Sequence, residues 1–221
     1  MIQVKNLFKI LKKNKIDFFT GVPDSILKNF STFIENLKNN QHVIATNEGS
    51  AVSMGIGHYL STKRTPCIYL QNSGLSNAIN PLISIASKGV YSIPLFLMIG
   101  WRGSPSKPDE PQHKAKGKIT LKLLKLLNID YCIIRSDKDL IKLTKIIKKS
   151  NKKKSIVACL IEKDILQIRN NKKNKNVNKF ILRSEFIKEF LSLIPKNSRI
   201  ISTTGYTSRE LMDLSKSFNN E

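Results

Sequence analysis

The chain has 221 residues, of which 40 % are hydrophobic, and its 38 lysines and arginines against 16 aspartates and glutamates give a formal net charge of +22. A chain of this length is long enough for one large α/β domain, or for one domain and part of another. It has no apolar run of ~18 residues and no signal peptide, so we expect it in the cytoplasm, away from membranes. The charge suggests a polyanionic ligand, but the densest basic runs, 142–155 and 170–179, lack aromatic residues for base stacking, which argues against specific nucleic-acid binding.

Apolar residues at helical spacing alternate with short apolar runs along most of the chain. The pattern predicts helices over 3–13, 25–37, 49–62, 75–87, 119–127 and 137–149. It predicts strands over 16–21, 42–46, 66–71, 94–99, 130–134 and 155–161. Six short, mostly apolar strands separated by helices are typical of a parallel sheet with helices on both faces, so we expect an α/β fold.

The character of the sequence changes after residue 161. Residues 168–179 are polar, basic and low in complexity, which is typical of a linker. Helices predicted over 184–194 and 207–216 flank a strand predicted over 199–203, and so few elements do not close a core of their own. We therefore expect a first domain over 1–165, a linker over 166–180, and the truncated start of a second α/β domain over 181–221.

Three features that often mark metal or cofactor sites lack the necessary context. Cys67, Cys132 and Cys159 each lie in an apolar run, and their odd number and wide spacing argue against disulfides and zinc, so we expect buried free thiols. The Gly-Ile-Gly at 55–57 lies inside a predicted helix instead of a strand-to-helix turn, which argues against a dinucleotide site. His42 and His58 belong to no motif and are interpreted as structural.

Polar or glycine-rich stretches follow four of the predicted strands. In parallel sheets, ligands collect at the carboxyl ends of the strands, and the stretches that fall there are 20–25, 46–50, 71–77 and 100–113. The last is longer and richer in proline and glycine than a simple connection, which is typical of a functional or disordered loop.

Glu48 stands at a predicted strand-to-helix junction and is followed by small and apolar residues. From this stretch alone the simplest interpretation is a helix N-terminus, where the helix dipole stabilises a carboxylate by roughly 0.3–1 kcal/mol. Whether Glu48 also has a chemical role depends on the motifs elsewhere in the chain.

Those motifs resemble the phosphonopyruvate decarboxylase family and its close relative, sulfopyruvate decarboxylase. The motifs are TGVPDS (20–25), NEGSA (47–51), QNSGLSNAINPL (71–82), MIGWRG (98–103), DEPQHKAKGKIT (109–120) and ISTTGYTSREL (201–211). The similarity runs from about residue 2 to 217 in the family's order. It implies a thiamine diphosphate-dependent enzyme of phosphonate biosynthesis that converts 3-phosphonopyruvate to phosphonoacetaldehyde and CO₂, with a pyrimidine-binding first domain.

The resemblance also implies roles for three titratable residues. A glutamate at the place of Glu48 hydrogen-bonds N1′ of the aminopyrimidine in a water-poor site and favours the imino tautomer, which removes the C2 proton of the thiazolium. Asp24 matches an active-site carboxylate near the substrate carbonyl, or it only caps a helix. His113, placed after the long loop, matches a position suited to proton transfer.

The remaining implied site residues are Arg102 and the strand end at Asn72, Ser73 and Gly74. The Arg102 guanidinium suits a substrate phosphonate, and the alternative is an ion pair with a carboxylate of its own loop. Asn72, Ser73 and Gly74 lie where the pyrimidine or the substrate is expected, and the alternative is a structural turn.

One departure from the family concerns its second domain. The family holds Mg²⁺ and the diphosphate through a Gly-Asp-Gly…Asn signature, and no Gly-Asp-Gly occurs in this sequence. Either the chain is a fragment, which the segment 181–221 favours, or a separate diphosphate-binding chain completes the site, and the family also forms homo-oligomers. The alternatives in function are a sulfopyruvate decarboxylase α-type subunit and a non-catalytic remnant with a basic binding surface.

Overall fold

The computed structural model describes residues 1–168, 181–195, 197–203 and 205–218. The chain divides into two units, residues 1–169 and 170–221, which are described separately. Most of the linker predicted over 166–180 lies outside the described residues.

The first unit contains a six-stranded, entirely parallel sheet, which confirms the expected α/β fold. Its strands are β2 (Phe19–Gly21), β3 (His42–Ile44), β4 (Cys67–Gln71), β5 (Phe96–Gly100), β6 (Asp130–Ile134) and β7 (Val157–Ile161). Their order across the sheet is β3-β2-β4-β5-β7-β6. A separate pair, β1 (Ile2–Gln3) and β8 (Leu166–Gln167), joins the two ends of this unit in parallel, and β8 lies within the first residues of the predicted linker.

Helices cover both faces of the sheet. They are α1 (Val4–Lys13), α2 (Lys28–Ile34), α3 (Glu48–Thr62), α4 (Leu75–Pro81), α5 (Pro111–Leu126) and α6 (Leu140–Lys153). The layer of α1, α2 and α6 packs on Cys67 and Tyr69 of β4, and the layer of α3, α4 and α5 packs on Ile68 and Leu70 of the same strand. Because successive side chains of a strand point to opposite faces, a strand covered on both sides is expected to be apolar, as β5 is and as β4 is up to its last residue, Gln71.

The strand order fixes where a ligand can bind. From β2 the chain moves outward to β3, then returns past β2 to β4 and continues in the opposite direction to β5. The connections therefore diverge between β2 and β4, and in such folds the carboxyl edge of the sheet at this point is the usual ligand position.

Helix α5 differs most from the sequence-based expectation, because it begins at Pro111 and not at 119. Proline suits the first position of a helix, but residues 111–118 are too polar to show apolar periodicity. The loop after β5 is consequently shorter than predicted, and its last part, including His113, belongs to the helix. Helix α2 is also shorter than predicted, since residues 25–27 form a turn before it.

The second unit contains the two predicted helices, α7 (Arg183–Leu193) and α8 (Tyr206–Phe218). An ion pair joins them, with Arg183 Nη2 2.6 Å from Glu210 Oε1. The strand predicted over 199–203 is wrong. This stretch has no strand partner among the described residues, and Ile201 is 98 % exposed. None of the helices that the structure describes is long and apolar enough to cross a membrane.

The three cysteines carry free thiols, with Cys67 and Cys159 buried and Cys132 half-buried. Burial raises the pKa of the Cys132 thiol to about 12. These thiols are therefore held protonated at neutral pH, as expected for small core residues.

Two glycines provide a matched test of the packing. A β-carbon on Gly21 would lie 2.0 Å from the carbonyl oxygen of Tyr69, whereas one on Gly57, in α3, would meet nothing within 4 Å. We expect Gly21→Ala to lower the free energy of unfolding by about 1–3 kcal/mol through overpacking. Gly57→Ala is expected to raise it by up to about 1 kcal/mol through helix propensity. Urea unfolding of the two variants measures both effects, and equal midpoints would contradict the described strand contact.

Candidate active site at the carboxyl edge of the sheet

The sheet topology places most of the predicted site residues at one edge. Asp24 follows β2, Glu48 opens α3 just after β3, the segment 72–74 follows β4, and Arg102 follows β5. Hydrogen bonds between side chains, and between side chains and the backbone, connect these segments. The carboxyl edge of the sheet is therefore the candidate active site.

Glu48 is the first residue of α3 and is held from two sides. Its Oε2 accepts a hydrogen bond from Asn77 Nδ2 at 2.9 Å. A β-carbon on Gly74 would lie 1.9 Å from Glu48 Oε1, so only glycine allows this approach. Asn47 caps the helix by accepting from the backbone N–H of Ser50 at 2.8 Å. The Glu48 side chain is thus fixed at a helix N-terminus, and it is half-buried within this chain.

Asp24 is a buried carboxylate with both oxygens occupied. Its Oδ2 accepts from the backbone N–H groups of Ile26 and Leu27, each at 3.2 Å, which caps the turn before α2. Its Oδ1 accepts from Gln71 Nε2 at 2.7 Å. A β-carbon on Gly100 would lie 1.9 Å from Oδ2, so a larger residue at this strand end would displace the Asp24 carboxylate.

Burial raises the pKa of Asp24, and this effect exceeds the opposing effects of the Gln71 and backbone hydrogen bonds and of the Arg102 charge. The side chain is 7 % exposed. Burial disfavours the ionised form of a carboxyl group when no paired cation compensates. Asp24 therefore caps a turn and also holds a proton more readily than an ordinary aspartate.

Two residues of this network were missed by the sequence analysis, Gln71 and Asn77. Gln71 Oε1 accepts from Ser73 Oγ at 2.6 Å, so that Gln71 joins Asp24 to the segment that carries Gly74. Asn77 positions Glu48. Both lie in the QNSGLSN stretch, from which only positions 72–74 were predicted as site residues.

Asn72 connects three segments and uses its whole amide to do so. Its Nδ2 donates to the carbonyl oxygen of Arg102 and to Thr120 Oγ1, both at 2.9 Å, and its Oδ1 accepts from the backbone N–H of Arg102 at 3.0 Å. The side chain is buried. The described contacts make it an anchor between β4, the loop after β5 and α5, and cofactor binding by Asn72 stays a prediction.

Arg102 forms the ion pair within its own loop that the sequence analysis left as an alternative. Its Nη2 and Nε lie 2.6 and 2.9 Å from the two carboxylate oxygens of Asp109. The guanidinium holds the pKa of Asp109 well below its usual range, and the hydrogen bond to Asp109 raises the pKa of Arg102. The remaining nitrogen, Nη1, donates to Ser25 Oγ at 3.2 Å.

A polar cavity of about 400 Å³ lies beside Arg102. Lys28 of α2 and Lys163, which follows β7, also line it, together with Ser25, Asn29 and the acidic Asp164. Three cations and one carboxylate therefore line this cavity, at the same edge of the sheet as Asp24.

Glu162 provides a second anchor for the loop after β5, through a hydrogen bond with Ser104 of that loop. This carboxylate is 1 % exposed, and its Oε1 accepts from Ser104 Oγ at 2.7 Å and from Arg135 Nη2 at 2.8 Å. Burial is the largest influence and raises the pKa, but the bonds from Arg135 and Ser104 outweigh it, so the pKa of Glu162 is lowered. Anchors at Asn72, Asp109 and Glu162 make the loop a rigid wall of the site.

The histidines lie outside this network. His113 is a residue of α5 and not of a loop as predicted, and its Nε2 is 3.9 Å from Glu110 Oε2. No hydrogen bond in the described part of the chain joins it to Asp24 or Glu48. His42 pairs with the Tyr69 hydroxyl at 2.8 Å, and His58 stacks on a phenylalanine ring. Nor do the described residues contain a cluster of three or more side chains suited to a metal ion.

Comparison with known proteins relates this arrangement to one family. The family model described as thiamine pyrophosphate enzyme, N-terminal TPP binding domain, matches residues 4–120. The chain is 32 % identical over 139 residues to sulfopyruvate decarboxylase subunit alpha of Methanococcus maripaludis. The matched stretch covers 63 % of this chain and 81 % of that subunit. It is 34 % identical over 119 residues to phosphonopyruvate decarboxylase of Streptomyces viridochromogenes, 54 % of this chain but 29 % of that enzyme.

A solved structure supports the same fold. Benzoylformate decarboxylase of Polynucleobacter necessarius superposes with a TM-score of 0.54 at 17 % identity, over 87 % of this chain and 36 % of that one. At this identity the similarity concerns the fold alone.

The raised pKa of Asp24 gives a test by pH. The folded state retains the proton above the unfolded value of 3.8, so this group's contribution to stability is present below pH 4 and is lost as the pH rises through the folded pKa. We expect Asp24→Asn to remove this loss, so that the variant gains stability relative to the wild type between pH 4 and 7. Thermal unfolding across this range measures it. A stability difference that is independent of pH would show that Asp24 titrates normally.

Proposed function

The chain belongs to the thiamine pyrophosphate enzymes, and from this membership we propose that it supplies the pyrimidine-binding half of a 2-oxo acid decarboxylase. The proposed substrate is 3-phosphonopyruvate, and the products are phosphonoacetaldehyde and CO₂. The observation that carries the proposal is the fixed Glu48 carboxylate, which Asn77 and Gly74 hold at the carboxyl edge of the sheet.

The residues around Glu48 fit the aminopyrimidine of thiamine diphosphate. Asn77 donates to Oε2, and no hydrogen bond within the described residues reaches Oε1, so this second oxygen is available to a nitrogen of the ring. When bound, the cofactor supplies a carbon nucleophile that adds to the keto group and takes up the electron pair left by CO₂. Glu48 would hold a proton at N1′ of the ring, a role that requires a carboxyl group.

Asp24 is proposed as the second acid of the site. Its raised pKa keeps the neutral carboxyl form accessible at higher pH than usual. An acid and a carboxylate whose environments differ are the usual basis for separate proton-transfer roles. Asp24 would hold a proton near the substrate carbonyl, and His113 is proposed as a third proton donor from the start of α5.

The polar cavity beside Arg102 would bind the acidic end of the substrate. Neither Lys28 nor Lys163 has a paired carboxylate in the described part of the chain, whereas Arg102 is already paired with Asp109. The two lysines outnumber Asp164, the carboxylate of the cavity lining, so the cavity keeps a net positive charge, and Arg102 contributes its remaining nitrogen. A phosphonate carries up to two negative charges and suits this cavity better than a sulfonate, which carries one.

A sulfopyruvate decarboxylase α-type subunit is the second candidate. The match of 139 residues makes up 81 % of the Methanococcus maripaludis subunit, which is therefore about 170 residues long. The first unit here spans residues 1–169, a similar length. This agreement in length favours a role as one of two subunits.

The diphosphate and its Mg²⁺ require residues from elsewhere. The 221 residues contain no Gly-Asp-Gly, and the half-buried Glu48 needs a further surface to exclude water from it. We propose that a separate diphosphate-binding chain or another copy in a homo-oligomer covers this edge. Magnesium would join the diphosphate to oxygen ligands there.

Replacement of Glu48 tests the central assignment. We expect Glu48→Gln to keep the fold and to lower the decarboxylation rate of the completed enzyme by about 10²–10⁴-fold, because the amide cannot exchange a proton with the ring. Glu35→Gln, an exposed acid at the end of α2, is the matched control and should leave the rate unchanged. Turnover of the Glu48 variant near that of the control would refute the assignment.

A reconstitution assay tests the division of the site and the substrate. We expect the 221-residue chain with thiamine diphosphate, Mg²⁺ and 3-phosphonopyruvate to release no CO₂ unless a diphosphate-binding chain is added. Reconstituted enzyme should prefer 3-phosphonopyruvate to 3-sulfopyruvate in kcat/KM. The reverse preference would support the second candidate, and turnover by the chain alone would contradict the proposed division.

A further inference from the structure

A second group of cations surrounds a cavity at the opposite edge of the sheet. The cavity has a volume of about 210 Å³ and lies at the segments that precede β2, β4, β5 and β7. Its lining contains no acidic residue, and its basic residues are Lys15, Lys63, Arg64 and Lys154. Arg64 pairs with Asp17, but the three lysines have no carboxylate partner within the described residues.

The backbone at these three lysines is unusual. Lys15, Lys63 and Lys154 have φ values of +62°, +57° and +48°, and they make up half of the six described non-glycine residues with positive φ. Glycine adopts this conformation freely and is the usual residue at such helix ends, whereas a side chain makes it unfavourable. Strained positions that retain a side chain are often functional.

Helix dipoles do not account for two of these three lysines. Cations stabilise the carboxyl ends of helices, but the last turns of α1 and α6 already contain lysines, Lys12 and Lys13 in α1 and Lys152 and Lys153 in α6. Lys15 and Lys154 are thus not needed for this purpose, whereas Lys63 also serves it, because the last turn of α3 has no basic residue. The shared property of the three strained lysines is that they line one cavity.

Neutral groups of the cavity complete the arrangement. Lys154 Nζ donates to the Tyr59 hydroxyl at 2.9 Å, and Lys63 Nζ lies 5.9 Å from the centroid of the same ring. Asn151 Oδ1 accepts from Thr65 Oγ1 at 2.6 Å, which orients the Asn151 amide and leaves its N–H groups to donate elsewhere. Tyr59 and Thr65 are both buried, so these partners are rigid.

We propose that this cavity binds a small phosphate-type oxyanion, such as inorganic phosphate or pyrophosphate, through Lys15, Lys63, Lys154 and the Asn151 amide. Charge-assisted donors that line one small cavity suit an anion with several oxygens. The volume admits a small anion but is below the range of about 300–1,000 Å³ that is usual for sites of larger ligands. This site is independent of the proposed function, because it lies at the other edge of the sheet.

Calorimetric titration with pyrophosphate, at an ionic strength held constant with sodium chloride, tests the proposal. We expect saturable binding to the 221-residue chain and at least about tenfold weaker binding to the double variant Lys63→Gly/Lys154→Gly. Glycine suits both backbone conformations, so the variant should melt at the same or a higher temperature than the wild type. The control Lys145→Ala/Lys148→Ala removes the same charge from the exposed face of α6 and should bind normally.

A second measurement requires no substitution. Acetylation of lysines, followed by mass spectrometry, should show that pyrophosphate slows the modification of Lys63 and Lys154 and leaves that of Lys145 and Lys148 unchanged. Equal protection of all four lysines, or absence of saturable binding to the wild type, would overturn the proposal. Equal weakening of binding in the two double variants would also overturn it, since binding would then follow the net charge alone.

Discussion

The candidate site depends on one constraint, the burial of the central strands on both faces. β4 and β5 are covered by helices on each side, so a polar group within them is cut off from water and needs a partner in the protein, as the Tyr69 hydroxyl has in His42. The other polar side chains lie at the strand ends, where Gln71 and Asn72 follow the last apolar residues of β4. Because all six strands are parallel, these ends meet at one edge, and the chemistry of the chain is concentrated there.

Three buried or nearly buried carboxylates at this edge illustrate how local partners set acidity. Glu162 and Asp109 each face an arginine and have lowered pKa values, whereas Asp24 receives only neutral hydrogen bonds at close range and has a raised pKa. The arginine-paired acids remain ionised and fix the loop after β5. Asp24 is the carboxyl group of the three that keeps its proton to a higher pH than an ordinary aspartate, which is the property that its proposed role as an acid requires.

The sequence predicted the fold well where burial determines the pattern and less well where polar contacts do. The six strands follow from their apolar runs, but the start of α5 was missed because its first turns are polar and are fixed by Pro111 and by contacts with the loop after β5. The pair β1 and β8 was missed because two-residue strands carry no periodicity. Glu48 and Asp24 were predicted as site residues from motifs, and these roles stay predictions. Gln71 and Asn77 were missed because they act through contacts that join segments distant in sequence. The strand over 199–203 was predicted from apolar residues alone, and a strand also needs a neighbour.

The pairing of β1 with β8 has a consequence for how such a chain can evolve. The backbone N–H of Ile2 donates to the carbonyl oxygen of Ile165 at 2.8 Å, so the first unit begins and ends at the same point on its surface. Modules with adjacent termini tolerate fusion, insertion and permutation. A gene could therefore be split or fused just after β8 without the loss of any hydrogen bond of the main sheet. The segment that matches this chain makes up 81 % of one relative, a subunit, and 29 % of another, a longer enzyme. This modular geometry permits both arrangements.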